Sequence, residues 1–233
     1  MSAPDLSIVI PALNEEGSLR QVLPRLTAAF KTLGVAGEIL VVNGKSTDKT
    51  VEVAESLGAR VLAQQGRGFG AALREGLLAA AAPWTCVVDA DGSHPPEDLA
   101  RLWAQRDSAD LVIASRYAPG GSAAMDLQRQ VLSRSLNVVA RLVLSLPVKD
   151  SSGGFRLYRS AFAKKAAALS DAPNFTVQQE LLVGVLRQGG RVIEVPFRYE
   201  PRIDGVSKAS ATALAPAYLR MLAKLRAERR RPV

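Results

Sequence analysis

A chain of 233 residues is long enough to bury a sizeable core, and 48% hydrophobic with 22% charged residues excludes global disorder, collagen-like and coiled-coil architectures. The longest uncharged stretch, Gly76 to Val88, is broken by Pro83 and falls short of the roughly 20 apolar residues of a membrane-spanning helix. One cysteine and one histidine exclude a disulfide framework and a histidine-rich metal centre, while a net charge of +8 points to phosphate-bearing partners.

Leu6 to Ile10 is an apolar, β-branched run that predicts a first strand, stopped by Pro11. It begins within a few residues of Met1, which leaves no space for a signal peptide and predicts a cytoplasmic chain. Asn14, Glu15 and Glu16 open a helix with Leu19, Val22, Leu23 and Leu26 at helical spacing. Glu38 to Val42 is a second strand, and Ser46 or Thr47 is expected to cap a helix through Val51, Ala54 and Leu57. Arg60 to Ala63, Thr85 to Asp89 and Asp110 to Ser115 are further strands, with helices starting near Gly66 to Gly70 and Pro95 to Asp98. Five alternations with short links predict an α/β fold, a mostly parallel sheet with helices on both faces.

Beyond Arg116 the pattern changes. Gly120 to Ser122 reads as a loop, Leu127 to Leu146 as a long helix and Phe155 to Tyr158 as a strand. Gln178 to Gln188 is helical, Val192 to Tyr199 alternates as one strand, and Pro201 to Lys208 is a loop before a last helix at Ala211 to Arg229. The expected organisation is one domain over residues 1–210, with a nucleotide-binding half at about 1–115 and an acceptor half at about 116–210. An amphipathic basic helix at 211–233 follows; its Leu214, Tyr218, Met221, Leu222 and Leu225 suit packing on the domain or lying on a membrane.

Ligands of open α/β sheets sit beyond the carboxyl ends of the strands. The sharpest feature there is Asp89-Ala90-Asp91, two carboxylates at i and i+2 that can meet around one hard divalent cation. Gly66-Arg67-Gly68-Phe69-Gly70 resembles a dinucleotide fingerprint but follows the third strand, and its acidic partner belongs to a pair. Its glycines are expected to let the backbone approach a phosphate or sugar, with Arg67 as countercharge. His94 suits either a metal or diphosphate contact or a structural role, and Cys86 reads as a small buried hydrophobe.

The strings Val9-Ile10-Pro11-Ala12-Leu13-Asn14-Glu15-Glu16, Ser46-Thr47-Asp48-Lys49-Thr50 and Asp89-Ala90-Asp91-Gly92-Ser93-His94-Pro95-Pro96-Glu97 resemble family 2 glycosyltransferases of the GT-A fold. Ser115-Arg116-Tyr117, Asp150 to Arg156, Glu194-Val195-Pro196 and Arg202 to Lys208 are similar to the dolichol-phosphate mannosyltransferase branch. That resemblance implies inverting transfer of a sugar from a nucleotide-diphosphate donor, GDP- or UDP-linked, to polyprenyl or dolichyl phosphate. It implies that Pro11, Leu13, Glu15 and Asn43 line the nucleotide pocket; of the nearby cations read from the sequence itself, Arg67 is a countercharge for a phosphate and Lys45 either reaches a donor phosphate or is simply solvated. Asp89 and Asp91 would hold Mg²⁺ or Mn²⁺ against the diphosphate. Arg116 would lie near the donor sugar or acceptor phosphate, Arg202 and Lys208 would close over the phosphates, and Arg129, Arg134 and Ser207 would serve the acceptor.

Two positions depart from that branch. Asn43 stands where relatives carry Asp, and an amide with one donor and one acceptor suits uracil or cytosine better than guanine. Ser93 stands where Gln often lies beside the metal. A phosphate acceptor is already an anion and needs only arginines to position it. A sugar or small-molecule hydroxyl, the rival acceptor, would need a carboxylate base, for which Glu180 and Asp150 are the candidates. A sugar-1-phosphate nucleotidyltransferase would want a glycine-rich loop with Arg and Lys at 11–16, and none is there. A degenerate nucleotide-sugar binding protein would have no need of Arg116, Arg202 and Lys208. With 5% aromatic residues and no interleaved basic motif, nucleic acid is not an expected partner; a homo-oligomer and a peripheral membrane contact both suit the composition.

Overall fold

The computed structural model describes residues 3–203 and 211–229. Seven strands form the central sheet: β1 (Leu6–Ala12), β2 (Gly37–Asn43), β3 (Arg60–Ala63), β4 (Trp84–Val87), β5 (Leu111–Ser115), β7 (Arg156–Arg159) and β8 (Val192–Pro196). Their order is β3-β2-β1-β4-β7-β5-β8, parallel throughout except that β7 runs antiparallel to both neighbours. The strands read as near-continuous apolar runs because both faces are covered. Along β1, Leu6, Ile8 and Ile10 point to the face packed by α1 (Glu16–Leu33), α2 (Thr50–Ser56) and α4 (Leu99–Ala104), and Val9 to the other. That other face is packed by α3 (Gly68–Ala79), α5 (Leu127–Leu144), α6 (Ser160–Leu169), α7 (Val177–Arg187) and α8 (Ala211–Arg229).

The antiparallel β7 shapes the site. Its chain enters the sheet at the edge from which β4 and β5 leave, pairing Arg156 with both Val87 and Ile113. The Asp150–Gly154 segment is thereby brought beside the residues that follow β4 and β5.

Four local expectations are revised. The helix α6 escapes sequence reading because its buried positions are Ala163, Ala166 and Ala167 rather than a leucine stripe. Those alanines permit close packing, and a Cβ on Gly184 of α7 would come 2.7 Å from that of Ala166. The run 192–199 is two strands, because after Pro196 the chain turns to bury Phe197; β9 (Arg198–Tyr199) then pairs with β6 (Ser122–Ala123), where a loop was expected. Ser46 and Thr47 do not cap α2, which starts at Thr50 without a side-chain cap. Ser46 Oγ accepts from the N–H of Asn14, Thr50 Oγ1 from that of Glu15, and Asp48 Oδ2 from that of Glu16, so this loop caps α1 across the sheet edge.

The apolar stripe of α8, where its side chains are described, is buried: Tyr218, Met221, Leu222 and Leu225 join the core. The Tyr218 hydroxyl donates to the carbonyl of Leu136 at 2.6 Å. Leu214 lies outside the residues whose side chains are described. No helix among the described residues is long and apolar enough to cross a membrane.

Candidate active site at the carboxyl edge of the sheet

A cleft of about 360 Å³ opens where β1, β2, β3 and β4 end. Pro11, Leu13 and Glu15 line one wall, Asp89 and Asp91 the floor, and Arg202 one rim, so six predicted site residues share one cavity. The loop after β1 holds its shape through Asn14 at φ 54°, whose Oδ1 accepts from Thr47 N–H. Asn43 stands at the end of β2 without lining the cleft. Its Oδ1 accepts from Ser46 N–H at 3.0 Å, and Gly44 and Gln64 form the wall there instead. Lys45 and Arg67 are solvent-exposed and also lie outside the lining.

At the floor, β4 delivers Asp89 and then Asp91. Asp91 Oδ1 accepts from the Ser93 N–H and hydroxyl, at 3.0 and 2.6 Å, and Oδ2 pairs with Arg202 Nε at 3.0 Å. Burial pushes the Asp89 carboxyl up from the ordinary range, and the neighbouring Asp91 adds to the rise, against the pull of His94, Arg202 and Arg116. Two carboxylates that resist sharing negative charge form a hard oxygen donor set that fits a divalent cation. Among the described residues no group of three His, Cys, Asp or Glu could hold a metal. Substrate oxygens and water would therefore complete its shell.

His94 is a positioning residue. Its Nδ1 accepts from Asp89 N–H at 3.0 Å, which leaves the proton on Nε2, 3.6 Å from Asp89 Oδ2. The ring is 2% exposed and stacks on Phe155 at 5.2 Å. Gly154 makes room for this arrangement, since a Cβ there would come within 3.2 Å of the His94 ring.

Arg116, just beyond β5, meets the fully buried Asp150. Nε donates to Oδ2 and a terminal nitrogen to Oδ1, both at 2.8 Å, and the Arg116 N–H adds a third bond to Oδ2. Burial works against the Asp150 charge, but the Arg116 guanidinium overcomes it and holds the carboxyl below its usual range. The same pairing raises Arg116 further above its normal value despite burial. Beneath this pair, fully buried Arg156 donates to the carbonyls of Gly153, Gln178 and Ser151, fixing the 150–154 turn against the start of α7.

The remaining predicted residues are dispersed. Arg129 is exposed and pairs with Asp126 at the start of α5, and Arg134 lies 5.8 Å over the ring of Tyr117. Ser207 and Lys208 lie outside the described residues. Both base candidates are committed elsewhere: Asp150 to Arg116, and Glu180 to Ser170, two backbone N–H groups and Lys224.

The glycine run after β3 has a different purpose from the expected approach to a phosphate. A Cβ on Gly70 would lie 1.9 Å from the carbonyl oxygen of Ala172, and one on Gly68, at φ +81°, 2.4 Å from that of Pro173. Gly70 N–H donates to Pro173. The glycines thus admit the 172–175 segment, which adds Asn174 and Phe175 to the cleft, with Phe175 stacked on Phe69 at 4.5 Å. Sequence reading missed this wall because it joins residues a hundred positions apart with no shared pattern.

The model of Glycosyl transferase family 2 matches residues 7–166. The polyprenol monophosphomannose synthase of Mycolicibacterium smegmatis is 32% identical over 227 residues, covering 92% of this chain and 84% of the relative. A glycosyltransferase of Mycobacterium tuberculosis H37Rv is 32% identical over 212 residues, covering 91% and 93%. Among solved structures, glucosyl-3-phosphoglycerate synthase from Mycobacterium tuberculosis, in complex with Mn²⁺, UDP-glucose and phosphoglyceric acid, matches with a TM-score of 0.76 at 20% identity. That match covers 96% of this chain and 80% of the other, and it establishes a shared GT-A fold.

Proposed function

This chain belongs to glycosyl transferase family 2, and we propose from that premise that it moves a sugar from a GDP- or UDP-linked donor to polyprenyl phosphate with inversion at the anomeric carbon. The observation that carries the acceptor reading is the commitment of both base candidates, Asp150 and Glu180, to structural partners. A phosphate acceptor attacks as an anion and has no proton to surrender. Its oxygen bonds to the anomeric carbon as the carbon–oxygen bond to the nucleoside diphosphate breaks, and the electron pair leaves on the diphosphate.

The roles follow from position. Pro11, Leu13 and Glu15 hold the nucleotide in the half formed by about residues 1–115, with Gly44 and Gln64 at the base end. Asp89 and Asp91 would hold Mg²⁺ or Mn²⁺, which when bound supplies positive charge against the departing diphosphate. Arg202 is within reach of the same floor and can shift from Asp91 to a diphosphate oxygen, with Lys208 six residues further on in sequence. Arg116, held by Asp150 and Ser152 and set against the rings of Tyr117 and Tyr199, would act near the donor sugar or acceptor phosphate. The relative named as a polyprenol monophosphomannose synthase supports mannose as the sugar; Asn43, held by Ser46 outside the cleft lining, gives no support to a pyrimidine base.

The test is transfer of labelled sugar from GDP-mannose and from UDP-glucose to polyprenyl phosphate and, separately, to polyprenol. Product with the phosphate alone supports the reading. Comparable product with the free alcohol would overturn it, since that reaction needs a base.

A further inference from the structure

We propose that Lys224, on the C-terminal helix α8, is a positioning residue for the nucleotide, because it holds in place the cleft wall that carries Phe175. Its ammonium enters the crease where α6, α7 and α8 meet, and donates to Glu180 Oε1 at 3.0 Å and to Asp171 Oδ1. The other oxygen of Glu180 faces the chain between α6 and α7. Oε2 accepts from the Ser170 hydroxyl at 2.6 Å and from the N–H groups of Asp171 and Ala172 at 3.2 and 3.1 Å. One carboxylate thus ties α8 to the 170–172 segment. Pro173, Asn174 and Phe175, which follow directly, line the cleft.

Residues 170–176 belong to neither a strand nor a helix, so the wall keeps its place through the side chains that grip it. From α3, Arg74 donates to the carbonyl of Ala172, and the Gly70 N–H donates to that of Pro173 at 3.1 Å. From the other side the grip is Glu180. Its side chain is only 6% exposed, so its charge depends on the ammonium beside it. Without Lys224 the carboxylate gains by turning toward water, and its three bonds to 170–172 are lost with that turn.

The packing of α8 needs no ammonium at this position. Met221, Leu222 and Leu225 already join the helix to the core, and an apolar side chain would cover the crease as well. Lys224 instead places a charge against the carboxylate that holds the wall. The link to the nucleotide rests on the reading of the cleft as the donor site, whereas the clamp on the wall does not.

The test compares Lys224→Met, Lys224→Arg and Arg187→Met in the full chain. Arg187 pairs with Glu228 at 3.6 Å, joining the same two helices at a similar exposure without involving Glu180 or the 170–175 segment. In the free protein, hydrogen exchange at the Gly70 and Ala172 amides should quicken about tenfold in Lys224→Met. With whichever of GDP-mannose and UDP-glucose serves as donor, its KM should rise about fivefold and kcat should stay within about twofold. Lys224→Arg should restore part of both, and Arg187→Met should change neither. Unchanged exchange or unchanged KM in a folded Lys224→Met overturns the proposal. So does an equal effect in Arg187→Met, which would reduce Lys224 to general support of α8. Quickened exchange in Lys224→Met, with no binding of UDP or GDP to the wild type in Mn²⁺, would sink the donor reading of the cleft and leave the clamp standing.

Discussion

Asp150→Ala should unfold this protein far more readily than removal of any surface carboxylate. The carboxylate is fully buried and accepts three bonds from Arg116, with another from Gly153 N–H at 2.9 Å. Deleting it strands a guanidinium whose side chain is only 11% exposed, a loss of about 3–5 kcal/mol for a broken buried pair. Against a typical total of about 5–15 kcal/mol this is a large fraction, and it lowers the melting temperature by roughly 10 °C for a chain of this size. The control is Glu97→Ala, which breaks the pair with Arg25 whose side chains are 42% and 65% exposed, worth at most about 1 kcal/mol. Urea unfolding of both variants provides the comparison. The pair also sets an acid limit. Because the folded Asp150 carboxyl lies below its unfolded value, its contribution is complete above the unfolded pKa of about 3.9 and disappears as pH falls through the lower folded value. The wild type should therefore lose stability with acid in that window more steeply than Asp150→Asn. Equal stabilities for Asp150→Ala and Glu97→Ala would mean that the buried Arg116–Asp150 pair contributes no more than an exposed one.

Glu180→Gln tests the base question from the other side. It should slow transfer by no more than a few-fold, while loosening the 170–172 segment by about 1–3 kcal/mol in thermal unfolding; a thousandfold loss of kcat in a folded variant would make Glu180 catalytic. Gly70→Ala must displace a backbone carbonyl, so it should weaken nucleotide binding through the Phe175 wall even where the fold survives, as read by calorimetry. Unchanged affinity would mean that the 172–175 segment does not shape the cleft. His94→Ala removes the acceptor for Asp89 N–H and should weaken metal-dependent nucleotide binding, whereas His94→Asn, which keeps an acceptor, should restore part of it.

The parts of the fold legible in sequence were those written in local periodicity. The strands from Leu6 to Ser115 and the helix built on Leu19, Leu23 and Leu26 are single-segment patterns, and the Asp89–Asp91 pair falls at the strand end that such a sheet exposes. What escaped depends on contacts between distant segments. Nothing in Phe155 to Tyr158 announces that it runs against its neighbours, yet that reversal is what brings Asp150 to Arg116. Ser46 and Asp48 have the composition of a cap, and they do cap a helix, but one that begins thirty residues earlier. Glu180 and Asp150 look like free carboxylates until their partners from other elements are seen. The α8 stripe, which in sequence suited either the domain or a membrane, faces the core, whereas Leu127, Val131, Val138 and Leu142 of α5 face out.

The Asp89–Asp91 floor is proposed to bind a nucleoside diphosphate through a divalent cation. Calorimetric titration of UDP, GDP and CDP into the wild type and Asp91→Asn, each with and without Mn²⁺, tests it most directly. Wild-type binding should require Mn²⁺ and select one base, with the Mn²⁺-dependent part lost in a folded Asp91→Asn. Binding of equal strength without metal, or unaltered Mn²⁺-dependent binding in Asp91→Asn, would contradict it.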